Sequence, residues 1–256
     1  MKTTPSLRDQ ILADFATLRI PVTADQLDAA LAEAEKAGWS HLDFLHHLLA
    51  DQAGLRRERS LQRRIHDAGL GDLKPLSEFD WNFNPAIPRT QIETLAQADF
   101  VRRGQNLVFV GQSGLGKSRL IRNIGFAACT WYKVKYITSG KLLEDLTAAL
   151  ADQTIHDRIR FYARFDLLIV DEFGLDRIER SLCPQAASLW FKIIDARQQR
   201  STALVTNIDF EAWAEYLGDA PLAMALLDRV VDGATIVKLK GKSYRVHRNA
   251  DQPPTK

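Results

Sequence analysis

The stretch GQSGLGKSRL, residues 111–120, decides how the rest of the sequence is read. Gly111, Gly116, Lys117 and Ser118 stand at the spacing G-x-x-x-x-G-K-[ST], a glycine-rich turn whose backbone N–H groups cradle phosphates. Its context agrees on both sides. NLVFV (106–110) is a short apolar run with β character, and a helical pattern opens after the loop. Strand, loop and helix N-terminus therefore follow in the order that anion binding needs. The expected phosphate-loop contacts are Gly111, Gln112, Ser113, Gly114, Leu115, Gly116, Lys117, Ser118 and Arg119. Lys117 is placed to hold the β- and γ-phosphates of ATP, and Ser118 to ligate Mg²⁺.

Four more β-rich runs lie on either side of helical patterns: VKYIT (134–138), DLLIVD (166–171), TALVTN (202–207) and TIVKLK (235–240). Three of the five runs are almost continuously apolar, as strands buried on both faces of a parallel sheet are. Strands separated by helices predict an α/β sandwich with right-handed crossovers. LLIVDEFG ends its apolar run in Asp171-Glu172, which makes Asp171 the second expected Mg²⁺ contact and Glu172 the general base that polarises a water. An activated water favours hydrolysis over transfer to a small acceptor. Asn207 ends TALVTN and is expected to orient that water; the alternative is a cap for the helix at FEAWAEYL. In ALLDRVVDGATIV, Arg229 ends a helical pattern ahead of the last strand. It is either an arginine finger reaching the ATP of a neighbouring subunit or the partner of Asp228 or Asp232, and the residues leave both open.

Residues 1–70 read as helices only. Leu7, Ile11, Phe15 and Leu18 recur at helical spacing before Pro21. Thr23 with Gln26 predicts a capping box, and Gly38 the end of that second helix. Ser40 opens a third, carrying Leu42, Leu45, Leu48, Leu49, Leu55, Leu61 and Ile65, with Gly54 expected to interrupt it. That segment ends in RRERSLQRR (56–64), where Arg56, Arg59 and Arg63 share one helical face and suit phosphate contacts with nucleic acid. Arg102, Arg103, Lys238, Lys240 and Lys242 are lesser basic points. GLGDLKP (69–75) marks a boundary, dividing the chain into a helical domain (1–70), an α/β domain (71–248) and a loose tail (249–256). Phe79, Trp81 and Phe83 stand ahead of the first β-rich run of the α/β domain, where one of them either packs on adenine or anchors the core.

Composition excludes several classes. The chain has 256 residues, 46% hydrophobic and 26% charged, with a net charge of +2, as in an ordinary globular protein. No apolar run approaches the ~18 residues of a membrane span, and MKTTPSLRDQ has no signal-peptide core; the expectation is a cytoplasmic protein with no membrane contact. Cys129 and Cys183 are expected to be reduced, partly buried thiols. His41, His46 and His47 lack the spacing of a zinc site.

Taken in order, GQSGLGKS, LLIVDEFG, ALVTN and LLDRVVDGATIVKLKGKSYR resemble the AAA+ ATPases of the IstB/DnaC type, and within them the IstB-like transposition helper proteins of bacterial insertion sequences. RRERSLQRRIHDAGLGDLKPLSEFDW is similar to the arginine-rich helix, linker and F-D-[FW] entry of that family, so the resemblance runs from about residue 40 to 248. It implies an AAA+ P-loop three-layer sandwich with a parallel five-stranded sheet behind a small all-α N-terminal domain. It also implies an ATPase using ATP and Mg²⁺, forming an ATP-dependent homo-oligomer on double-stranded DNA and assisting a cognate transposase. Arg229 matches the family's finger-bearing D-R segment. Only 27 residues follow it, so the C-terminal helical lid of larger AAA+ proteins is absent or vestigial, and Arg245 is the remaining candidate for a lid arginine. Gln112 and Ser113 stand where this group carries Pro-Pro. The competing expectations are a DnaC-type replicative helicase loader, a P-loop small-molecule kinase, and an ATP-binding regulator that barely hydrolyses.

Overall fold

Three short polar signals open the first three helices of the computed structural model, which describes residues 5–244. Ser6 and Asp9 exchange side-chain and backbone hydrogen bonds at the start of α1 (Leu7–Thr17), and Thr23 and Gln26 do the same for α2 (Ala24–Ala37). Ser40 and Asp43 repeat the exchange at the start of α3 (His41–Ala68), with both backbone N–H groups 3.2 Å from their acceptors. Such boxes satisfy amides that a helix start otherwise leaves unpaired. Gly38, in the left-handed conformation at φ 66°, closes α2.

Two expectations fail here. α3 runs straight through Gly54, whose Cβ position is open space, because one glycine costs less than breaking a 28-residue helix. The leucine stripes are also less buried than their spacing suggests. Leu27, Ala30 and Leu48 form the buried centre, flanked by Leu12, Phe15, Val22 and Phe44. Leu7, Ile11, Leu18, Leu42, Leu45, Leu49 and Leu55 are exposed. A small helical unit buries one face per helix, and α1 uses Leu12 and Phe15 for it. The chain divides into two compact units, Met1–Arg63 and Arg64–Lys256, with the division inside α3.

After the end of α3 and the linker, the second unit has α4 (Arg89–Leu95) and α5 (Asp99–Arg102), then alternates strands and helices. β1 (Leu107–Val110) leads to α6 (Lys117–Ala128), and β2 (Val134–Thr138) to α7 (Ser139–Ala151) and α8 (Ile155–Ala163). β3 (Leu167–Phe173) is followed by α9 (Arg177–Leu182) and α10 (Ala186–Asp195), and β4 (Ser201–Thr206) by α11 (Trp213–Leu217), α12 (Ala220–Val231) and β5 (Thr235–Lys238). All five expected strands form. They make one parallel sheet in the order β2-β3-β4-β1-β5.

Alternate residues of the apolar strands serve opposite faces. Val108, Val110, Leu168, Val170 and Leu204 join a core with Leu142, Leu146, Trp190, Ile193 and Leu226 from the helices on one side. On the other, Gly125 of α6 lies so close to Ile169 that a Cβ there would sit 2.5 Å from its side chain. The result is the expected three-layer α/β architecture. After β5 the described chain is a short segment, 239–244, and no lid helix is found among the described residues. Arg245 and the tail 249–256 lie outside the described residues. Among the described residues no helix is long and apolar enough to cross a membrane.

Candidate active site

Register brings the predicted residues to one edge of the sheet. Val110 pairs with Thr206, Phe173 with Thr206, and Thr138 with Asp171. The glycine-rich loop, the Asp171-Glu172 pair and Asn207 therefore leave neighbouring strands at the same end, the carboxyl edge where open α/β sheets bind ligands. A cleft of about 580 Å³ opens there, walled by Ser113–Arg119, Asp171, Glu172, Thr206, Asn207 and residues of the preceding linker.

The loop is built for close approach. Gly116, the residue before α6, has φ 85°, and a Cβ there would stand 2.9 Å from the Phe79 ring. At Gly111 a Cβ would collide with the carbonyl of Leu239. No side chain caps α6, so its first-turn amides keep their donors for a ligand. Lys117 is nearly buried and folds back along the loop, donating to the carbonyls of Gly111 (2.6 Å) and Gln112 (2.8 Å). Those two residues serve Lys117 and are not part of the cleft wall. Ser118 is half-buried in that wall.

Asp171 is 1% exposed, and each carboxylate oxygen accepts one hydrogen bond at 2.8 Å: Oδ2 from the Tyr136 hydroxyl and Oδ1 from the Glu172 N–H. Each oxygen keeps a further lone pair. Burial and the neighbouring Asp171 charge push the Tyr136 phenol up, so it stays a donor. Glu172 is exposed in the cleft wall with φ 64°, a left-handed backbone that costs a non-glycine residue ~1–3 kcal/mol. A register shift between Val170 and Phe173 accompanies it.

Asn207 follows β4 and does not cap the next turn, which begins after Asp209 without a side-chain cap. Its Oδ1 is buried and has no hydrogen-bond partner among the described residues, an unpaired acceptor on a residue that lines the cleft.

Arg229 lies elsewhere. In the last turn of α12 it donates to Asp195 Oδ1 at 3.0 Å and stacks over Phe191 at 4.5 Å. The Asp228 or Asp232 pairing expected as its alternative is not made. Adjacent positions on a helix do not face each other, and Asp232 sits at the helix end. Arg119, expected at the phosphates, donates to the Pro75 carbonyl at 3.1 Å and lies over Phe79. Phe79 and Phe83 line the cleft, while Trp81 packs on Phe79. Arg56, Arg59 and Arg63 are exposed on α3, and Glu58, the acid among them, accepts from Gln62. Of His41, His46 and His47, the last packs on Trp39, and no metal-binding cluster of His, Cys, Asp or Glu exists among the described residues.

Several contributors escaped the sequence reading. Arg122 and Asn123 of α6 bind the linker carbonyls of Leu70 and Lys74. Asn84 is buried and exchanges two 2.9 Å bonds with the backbone of Lys242, while the Tyr244 N–H donates to the Gly114 carbonyl. The segment after β5 is thereby tied to the loop. These partners are far apart in sequence, and no local pattern announces them.

The known proteins that this chain resembles include ATP-binding ones. The family model described as IstB-like ATP binding protein matches residues 13–252. The chain is 33% identical over 239 residues to the ATP-binding protein of insertion sequence IS232 from Bacillus thuringiensis subsp. berliner, covering 93% of this chain and 94% of that protein. To the ATP-binding protein of insertion sequence IS21 from Pseudomonas aeruginosa it is 30% identical over 234 residues, covering 91% and 87%. Among solved structures, DnaI superposes with a TM-score of 0.53 at 20% identity, over 70% of this chain and 94% of that one. AMPPCP-bound DnaA from Aquifex aeolicus gives 0.54 at 18% identity, over 71% and 56%. At that identity the two structures speak for the fold.

Proposed function

This chain belongs to the IstB-like ATP-binding proteins and is an AAA+ ATPase, and from that premise we propose that it hydrolyses ATP at the cleft and uses the cycle to assemble on double-stranded DNA and assist a transposase. The observation that carries the hydrolytic part is the shared cleft wall of the phosphate loop, Asp171, Glu172 and Asn207. The insertion-sequence relatives support the transposition part.

In this reading the uncapped amides of α6 and the backbone of residues 111–119 bind the phosphates, and Lys117 exchanges its loop carbonyls for phosphate oxygens. The fit for Mg²⁺ rests on Ser118 and on the open lone pairs of Asp171, one hydroxyl and one carboxylate, the oxygen ligands that a hard cation takes. Bound there, Mg²⁺ supplies neutralisation of phosphate charge. Glu172 takes the proton of the water that attacks the γ-phosphorus as the bond to ADP breaks. Asn207 Oδ1 accepts a hydrogen bond from the water's other O–H and so orients it. Arg229, outside its own cleft, acts on the ATP of a neighbouring subunit, and Arg56, Arg59 and Arg63 contact DNA phosphates.

The test is target capture by the cognate transposase with duplex DNA, this protein, and ATP or ADP. Stimulation that needs ATP and disappears with Lys117→Ala is the expected result. Equal capture in ADP, or ATP turnover with a small-molecule acceptor in place of DNA, would overturn the reading.

A further inference from the structure

Among the described residues the buried aspartates are Asp171 and Asp176. The reaction above uses the first and leaves the second without a task. Asp176 immediately precedes α9, where an aspartate ordinarily turns its carboxylate to the first-turn amides. It does not do so here: α9 has no side-chain cap. The carboxylate turns inward instead, 5% exposed, and accepts from three donors on three segments. Oδ1 accepts from the Gly174 N–H at 3.1 Å and from the Tyr216 hydroxyl, and Oδ2 from the Ser139 hydroxyl.

The placing of those donors gives the cluster its meaning. Ser139 begins α7 directly after Thr138, the residue paired with Asp171 across β2 and β3. Tyr216 belongs to α11, beyond β4, and its ring also packs on Phe173 at 4.9 Å. Asp176 thus joins the segments that follow both strands flanking β3. Between the two aspartates stands Glu172, left-handed at φ 64°, its carbonyl accepting from the Leu175 N–H at 3.0 Å. Gly174 approaches Asn207 so closely that a Cβ would lie 3.2 Å from Asn207 Oδ1. A costly backbone conformation persists only where its surroundings hold it, and Asp176 supplies the hold on the C-terminal side.

We propose that Asp176 is a positioning residue for ATP hydrolysis, fixing the backbone turn that presents Glu172 to the cleft and setting it against Asn207 through Ser139 and Tyr216. This rests on the role of Glu172 given above. Asp176 touches none of the reacting atoms, so its loss lowers turnover without weakening nucleotide binding.

The test compares Asp176→Ala, Asp176→Asn and Tyr216→Phe with the wild-type full chain and Glu172→Gln, at saturating duplex DNA. Asp176→Ala is expected to lower kcat by roughly 10²-fold, with KM for ATP and affinity for ADP within about twofold. Asp176→Asn, which keeps the shape, restores about tenfold of that loss, and Tyr216→Phe costs roughly 3–10-fold. Tyr216→Phe keeps the ring on Phe173, so it carries the test if Asp176→Ala does not fold. Independently of turnover, amide exchange in the nucleotide-free protein should quicken at Gly174 and Leu175 in Tyr216→Phe and Asp176→Asn. Wild-type kcat in both of those variants beside an inactive Glu172→Gln would overturn the positioning role alone, as would parallel loss of kcat and ADP affinity. A wild-type rate in Glu172→Gln would overturn the role of Glu172 itself, and this inference with it.

Discussion

The two ends of the sheet handle their polar side chains in opposite ways. At the amino ends of the strands Arg197 is 2% exposed and spends its guanidinium on Tyr162 O, Phe165 O, Ser201 O and the Thr202 hydroxyl. Asn106 beside it binds the Thr202 N–H and the carbonyls of Arg229 and Val230. At the carboxyl ends Asn207 keeps an unpartnered acceptor, Glu172 holds a strained backbone with its side chain exposed, and α6 has uncapped amides. One end is closed by its own hydrogen bonds and the other holds its capacity open for a ligand. Stability and activity should therefore separate by end.

The largest effect is expected at the closed end. Arg197→Met leaves four buried acceptors unpaired and should cost ~3–5 kcal/mol of stability, read as a drop in the chemical-denaturation midpoint. Measured where the variant is still folded, its ADP affinity should match the wild type. Next comes Glu172→Gln at the open end, which should lower kcat by ~10²–10³-fold, about 3–4 kcal/mol of barrier, while the melting temperature holds, because the exposed side chain keeps its size and the backbone turn is unchanged. Asn207→Ala sharpens the contrast further. It should lower kcat by roughly 10-fold yet change stability by less than about 0.5 kcal/mol, because Oδ1 gives up no bond in the folded chain; a loss of several kcal/mol would show that the acceptor is already spent. The smallest effect belongs to neither end: Gly54→Ala in α3, where the Cβ meets nothing, should stabilise the helical unit by ~0.5–1 kcal/mol and leave turnover unchanged.

The same division explains what could be read from residues alone. The loop after β1, the acids at the tip of β3 and the capping box at Thr23 are written in contiguous residues, and local pattern suffices for them. So do the strands, because a parallel sheet buried on both faces needs runs such as LLIV (167–170). The arrangements that escaped depend on distant partners: Arg197 on the ends of α8 and β4, Asp176 on Ser139 and Tyr216, and Asn84 on Lys242. Arg229 shows the limit most plainly. Its acids in sequence are Asp228 and Asp232, but the helix turns its side chain to Asp195, 34 residues earlier. The exposed leucines of the first three helices mislead in the opposite sense, since amphipathic spacing states which residues share a face and leaves open what covers it.

The most direct test of the central claim is the size distribution and ATPase rate of the full chain with and without duplex DNA, in ATP and in ADP, with Glu172→Gln alongside. The account expects large assemblies only with ATP and DNA together, faster hydrolysis in their presence, and assemblies that persist in Glu172→Gln because the nucleotide is not cleaved. A chain that stays monomeric in ATP and turns over at a rate indifferent to DNA would contradict it.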